Sequence, residues 1–240
     1  ASHSRSGSLG LAAAILMLAA MLLKRRPGLV AAGALAVVLA LPMLPSSYWA
    51  RLSSITDGSR DETGSRQARS TLLWEAYYAF LDHPITGVGA GQFQNYKPEG
   101  RVEAWRETHN VFLQVASELG IAGLIAFTFL VWCGFEATRK SRALLRRTAP
   151  GARRRGEEPS PDVLTADERD LLNSHTAGIA ASLAGWLVCA LFASVAYHWT
   201  FYYLLALALA PREYLVNRLA ATRTVRRRSS LAASVAEARA

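Results

Sequence analysis

Cysteine is scarce in this chain. Cys133 and Cys189 are the only two in 240 residues, and both lie inside apolar runs. A free cysteine there behaves as a small hydrophobe, and no spacing offers a disulfide framework. Metal-ligand spacing is also missing among the 5 histidines and 18 carboxylates. No resident metal or other cofactor is expected, and metal-dependent chemistry is disfavoured. No internal repeat is present. No cleavage-site pattern follows the first apolar run, so it is not a convincing signal peptide. An initiator methionine is absent too, and the chain enters an apolar run almost at once from Ala1, so a preceding segment is expected.

What is abundant is apolar and basic. Hydrophobic residues make up 51% and the formal charge is +9, too apolar for an ordinary soluble domain. The basic residues fall between apolar runs and not along one soluble face, which favours lipid topology over nucleic acid. No nucleic-acid partner is expected, whereas membrane lipids are.

Crossing the ~30 Å hydrocarbon core takes about 20 apolar residues, with about 17 as a minimum. Residues 7–23, 28–44, 120–137 and 176–193 qualify, and a shorter run at 198–210 follows. One helix over 176–210 would be about 50 Å long, too long for a single crossing, so two are expected there. Short cytoplasmic loops are enriched in Lys and Arg. By that rule Lys24–Arg26, the segment 139–155 and the tail with Arg223 and Arg226–Arg228 lie inside. The resulting organisation is two transmembrane helices in 1–44 and an outer loop in 45–119. A third helix occupies 120–137, a basic inner linker 138–174, two further helices 175–211, and a tail 212–240, disordered at its end. The fold class is therefore all-α and polytopic, with about five spans.

The outer loop holds the informative stretches. In "ARSTLLWEAYYAFLD" (68–82), Leu72, Leu73, Ala76, Tyr77, Phe80 and Leu81 recur with the spacing of an amphipathic helix, expected to lie against the membrane surface. "HPITGVGAGQF" follows: Pro84 ends the helix, and Gly87, Gly89 and Gly91 impose an unusual backbone path. That run lacks the preceding strand and following helix of a dinucleotide fingerprint, which leaves a turn that lets elements approach closely. A second amphipathic stretch starts at Thr108 and leads into the third span.

Three residues invite chemistry. Arg69 shares the side of Leu72 and Leu73, where it either snorkels to lipid phosphate or grips an anionic substrate with its planar fork. Arg5, in "SRSG", carries the same two readings. His109 titrates near neutral pH and suits a general base, although many boundary histidines only hydrogen-bond to backbone or water. His83 and His198 rank lower, in a helix-ending turn and in an aromatic membrane boundary.

The run from Arg69 through Leu73-Trp74, then "HPITGVGAGQF", then "HNVFLQVASELGIAGL", resembles the signature region of the O-antigen ligase and polymerase superfamily of bacterial inner-membrane proteins. "SRSG" at 4–7 resembles the serine-arginine motif that precedes it. The resemblance covers residues 1–137 and extends to the later spans in general pattern. It implies a GT-C-like helical fold with a large periplasmic loop over a membrane cavity. It also implies transfer of a glycan from an undecaprenyl-diphosphate carrier to an acceptor sugar, on lipid A-core in ligases or on another carrier-linked glycan in polymerases, without metal or nucleotide sugar. On this resemblance Arg5 and Arg69 bind the diphosphate and His109 assists the acceptor hydroxyl. The tryptophan usual four residues after the loop arginine is Leu73 here, with Trp74 displaced by one, so Arg66 and Arg69 both stand as equivalents. Arg101 and Arg106 are second-rank candidates for contacting the glycan or its phosphates. A transport or scaffold protein of the same architecture is the non-enzymatic alternative.

Overall fold

The computed structural model describes residues 5–23, 26–46, 49, 65–96, 107–148 and 164–237; side chains at 5, 6, 65–68, 223 and 226–237 are not included. Among these residues there are six α-helices and no strand: α1 (Arg5–Leu22), α2 (Pro27–Ala40, extended by a 3-10 turn Leu41–Met43), α3 (Ser65–Asp82), α4 (Val111–Arg147), α5 (Ala166–Ala190) and α6 (Trp199–Glu237). The described residues are all-helical, as the apolar runs implied.

Local sequence explains where these helices begin. Pro27 occupies the first turn of α2, where its missing N–H costs nothing. Asn110 caps α4 by accepting from the Phe112 and Leu113 amides, and Thr165 forms a capping box with Glu168 at α5. Such caps satisfy amides that the helix itself leaves without partners.

Helices α1 and α5 run antiparallel at backbone contact. A Cβ on Gly10 would lie 2.7 Å from the Gly185 carbonyl oxygen, and one on Gly185 would lie 2.8 Å from that of Gly10. Only small residues permit that approach, which is how helices associate where lipid removes the hydrophobic drive. At the other end of the pair, Arg26 meets Asp170 at 3.2 Å. Phe127 and Val131 of α4, Ala190 of α5 and Phe201 of α6 form the main apolar cluster, with Trp186 stacked on Phe201 at 4.5 Å.

Val111–Arg147 is the one helix among the described residues that combines the length and apolarity needed to cross a bilayer; Gly7–Leu22 and Pro27–Met43 are shorter apolar helices. The third apolar run is therefore the middle of a longer helix. Its basic continuation, read from sequence as linker, stays helical because Leu145 is buried against Leu164 and Leu215. Between α5 and α6 the chain breaks at residues 191–198, so 176–210 is two helices, as its length required. The tail, expected to be disordered at its end, is helical to Glu237.

Candidate active site

Helix α3 packs its Leu72, Ala76 and Ala79 on Phe93, with Leu113 of α4 closing the same cluster. The expected helix is therefore present, and Leu72 and Ala76 of the stripe read from sequence are buried, but the rest of the buried face is shifted to Ala79. Tyr77 and Leu81 are exposed together with Trp74 and Tyr78. Phe93, folded back from the glycine loop, selects the Leu72–Ala76–Ala79 stripe, and the aromatic stripe faces outward.

At Gly120 helix α4 departs from helical geometry, with φ 66 and ψ −163. That kink frees backbone groups, and the glycine loop takes them up. The Val88 amide donates to the Ser117 carbonyl at 2.8 Å, the Gly89 amide to the Glu118 carbonyl at 3.0 Å, and the Ile121 amide to the Pro84 carbonyl at 2.8 Å. These three bonds replace helix bonds that the break gives up. Contact is so close that a Cβ on Gly87 would lie 2.2 Å from the Glu118 carbonyl carbon, and one on Gly120 would lie 2.3 Å from the Ile85 oxygen. Both glycines also have positive φ, so "GVGAG" and "ELG" form one interlocked joint.

Glu118 sits under this joint, 2% exposed. Its carboxylate accepts from the Gly91 amide at 3.1 Å and the Phe93 amide at 3.3 Å, and it lies beside the Tyr197 hydroxyl. Desolvation raises the Tyr197 pKa above its ordinary value, and the Glu118 carboxylate raises it further. Nearby, the Tyr96 hydroxyl donates to Asp82 at 3.4 Å; desolvation and then the Asp82 charge raise its pKa too.

His109 immediately precedes the α4 cap and is half-buried, with φ 52. Its amide donates to Ser194 Oγ at 2.9 Å, and that same oxygen lies 2.9 Å from the buried Thr108 hydroxyl. Asn110 Nδ2 donates to the Leu191 carbonyl at 3.2 Å, and Gln114 Oε1 accepts from the Ala196 amide at 3.2 Å. The "THN" motif is thus fastened to the 191–198 turn through groups some eighty residues away in sequence, which fixes the His109 backbone in a conformation few residues adopt freely.

Arg69 is exposed on α3, one turn before Leu72 of the cluster that Leu113 of α4 shares. His109 lies one turn before Leu113, so both residues belong to the same end of the bundle. The start of α1 reaches that end as well: Arg5 is five residues, about 7.5 Å, beyond the Gly10–Gly185 crossing, on the Ala190 side. The side chains of Arg5 and Arg66 lie outside the described residues, as do Arg101 and Arg106 entirely.

Asn110, Gln114, Glu118, Ser194 and Tyr197 were not singled out from sequence. Three of them carried a signal. Asn110, Gln114 and Glu118 recur every four residues in an apolar segment, and a carboxylate in such a segment marks a partner or a function.

A family model described as O-antigen ligase matches residues 1–128, more than half of the chain and the part that contains Arg5, Arg66, Arg69, Arg101, Arg106 and His109. No curated protein and no solved structure matches the chain.

Proposed function

Because the chain belongs to the O-antigen ligase family, we propose that it moves a glycan from an undecaprenyl-diphosphate carrier to an acceptor sugar at the outer face of the inner membrane. The acceptor hydroxyl attacks the anomeric carbon opposite the carrier, the bond from that carbon to the diphosphate oxygen breaks, and the anomeric configuration inverts. His109 receives or directs the hydroxyl proton, while Arg69 and Arg5 meet the charge that accumulates on the departing diphosphate. Arg66, Arg101 and Arg106 are further contacts for the glycan and its phosphates. No metal enters this scheme, since the guanidinium groups supply the positive charge where the leaving group needs it.

The observation that carries the proposal is the placement of His109, Arg69 and the start of α1 at one end of the bundle, away from the end where Arg26 pairs with Asp170. By the positive-inside rule the basic end is cytoplasmic, which puts the His109 end on the periplasmic side, where a flipped carrier-linked glycan resides. Five spans fit this arrangement, with α3 lying in the interface and turning Trp74, Tyr77 and Tyr78 toward headgroups, where amphipathic rings are favoured.

Glycan transfer in membranes containing the full chain tests the roles. A charge-assisted contact contributes about 1.5–3 kcal/mol, so Arg69→Ala is expected to slow transfer by roughly ten- to a hundredfold. Wild-type rates for Arg69→Ala and His109→Ala at equal expression, or solute flux without consumption of lipid-linked sugar, would refute the proposal. Product on lipid A-core marks a ligase, and a lengthened carrier-linked glycan marks a polymerase.

A further inference from the structure

At the opposite end of the bundle two adjoining cavities, of about 280 and 340 Å³, open between α1, α4 and α5 and share Met21 and Arg142. Arg26, from the junction of α1 and α2, lines the first together with Asp170. Arg139, Arg142 and Arg146 line the second, above Met17 and Phe135. The three α4 arginines are spaced three and four residues apart, which puts them on one face of the helix over about 10 Å. Asp170 is the single carboxylate lining either cavity, where Arg26 holds it at 3.2 Å, and Arg139 is already gripped by Glu136 at 2.6 Å.

Two chemistries therefore meet in one place. Guanidinium forks match phosphate oxygens, and directly beside them lie thioether and aromatic side chains, which suit a hydrocarbon chain. A free phosphate ion would use the arginines and leave Met17, Met21 and Phe135 unused. An amphiphile with a negatively charged headgroup uses both, and basic pockets between membrane helices are known to hold such headgroups.

We propose that these joined cavities bind one anionic phospholipid of the leaflet on that side, with its phosphate between Arg142 and Arg146 and an acyl chain over Met21 and Phe135. The site lies at the other end of the bundle from His109 and requires only that the chain resides in a membrane, so it stands or falls separately from the transfer reaction.

The test uses the full chain, extracted from bilayers of phosphatidylethanolamine with phosphatidylglycerol and examined by native mass spectrometry. The wild type is expected to retain one phosphatidylglycerol, and the double variant Arg142→Gln with Arg146→Gln roughly tenfold less, a factor well within the loss of two charge-assisted contacts. Replacing both arginines by lysine is expected to restore part of the retention, which a folding defect would not allow. Lys140→Gln with Arg147→Gln removes the same charge outside the cavities and is expected to change nothing. Equal retention by the Arg142/Arg146 glutamine variant, equal loss in the Lys140/Arg147 control, or displacement of the lipid by millimolar inorganic phosphate would each overturn the proposal. The last outcome would identify a small-anion site instead.

Discussion

His109 is constrained before it is reactive. Its φ of 52 is a region where asparagine is enriched and most other residues are disfavoured, so His109→Asn is the substitution that keeps the backbone and removes the imidazole. The sequence supports the chemical candidacy of His109, because an imidazole's place at the edge of an apolar segment is a local property. Its fastening was not legible, because Ser194 and Leu191 are far away in the chain and nothing near them names their partner. Glu118 was partly legible as a carboxylate in an apolar run, but its partners, Gly91, Phe93 and Tyr197, come from two separate segments. Its contact with Tyr197 leads to a pH prediction. The Tyr197 pKa is raised from 10.0, so the folded state favours the neutral phenol. The stabilisation is fully present below pH 10 and is lost as pH rises through the elevated value. Tyr197 is itself 43% exposed, so beyond partial desolvation it is the Glu118 carboxylate beside it that should make it ionise later than the other tyrosines in an ultraviolet titration of the folded protein. Tyr197→Phe should remove a late-titrating group; loss of an ordinary one would count against the contact.

Among the elements, the joint between the glycine loop and the α4 kink gives a graded prediction. Gly91 has φ 68 but open space around its would-be Cβ, whereas Gly87 has φ 63 and meets the Glu118 backbone at 2.2 Å. Gly91→Ala should therefore cost only the conformational strain, about 1 kcal/mol. Gly87→Ala should cost several times more, because two backbones must part and the hydrogen bonds across the joint go with them. Thermal unfolding of the two variants measures the difference, and equal melting temperatures would mean that the loop does not splint the helix. The three glycines and the proline announced a special backbone path. Its destination did not show, because a close approach is defined by both surfaces and the second, residues 117–121, looked like ordinary helix. A similar limit explains α3. Its period was plain, but which of its apolar residues would be buried depended on Phe93, which lies in a separate segment. The helical course of 139–147 was hidden because its buried apolar anchor, Leu145, finds Leu164 and Leu215 across a long separation.

For the molecule as a whole, the layout depends on the α1–α5 crossing, since it carries Arg5 to the end where His109 lies. Gly185→Leu would place a branched side chain against the Gly10 carbonyl and Ala14. It is expected to separate the helices, lower the melting temperature and abolish transfer, even though Gly185 lies outside the matched segment 1–128. Full activity and stability in that variant would show that the crossing is dispensable. The all-helical class and the polarity of the bundle, basic at one end and carrying the candidate residues at the other, follow from composition and charge order alone. The pairing of helices does not, since apolar faces in lipid are chosen by small-residue fit, and Gly10 and Gly185 are unremarkable in sequence. The most direct test of the central claim is the rate of glycan transfer from an undecaprenyl-diphosphate-linked donor by His109→Asn in membranes, at equal expression and equal melting temperature to the wild type. The account predicts a fall of about a hundredfold or more, the contribution of a positioned acid–base group; transfer at the wild-type rate would contradict it.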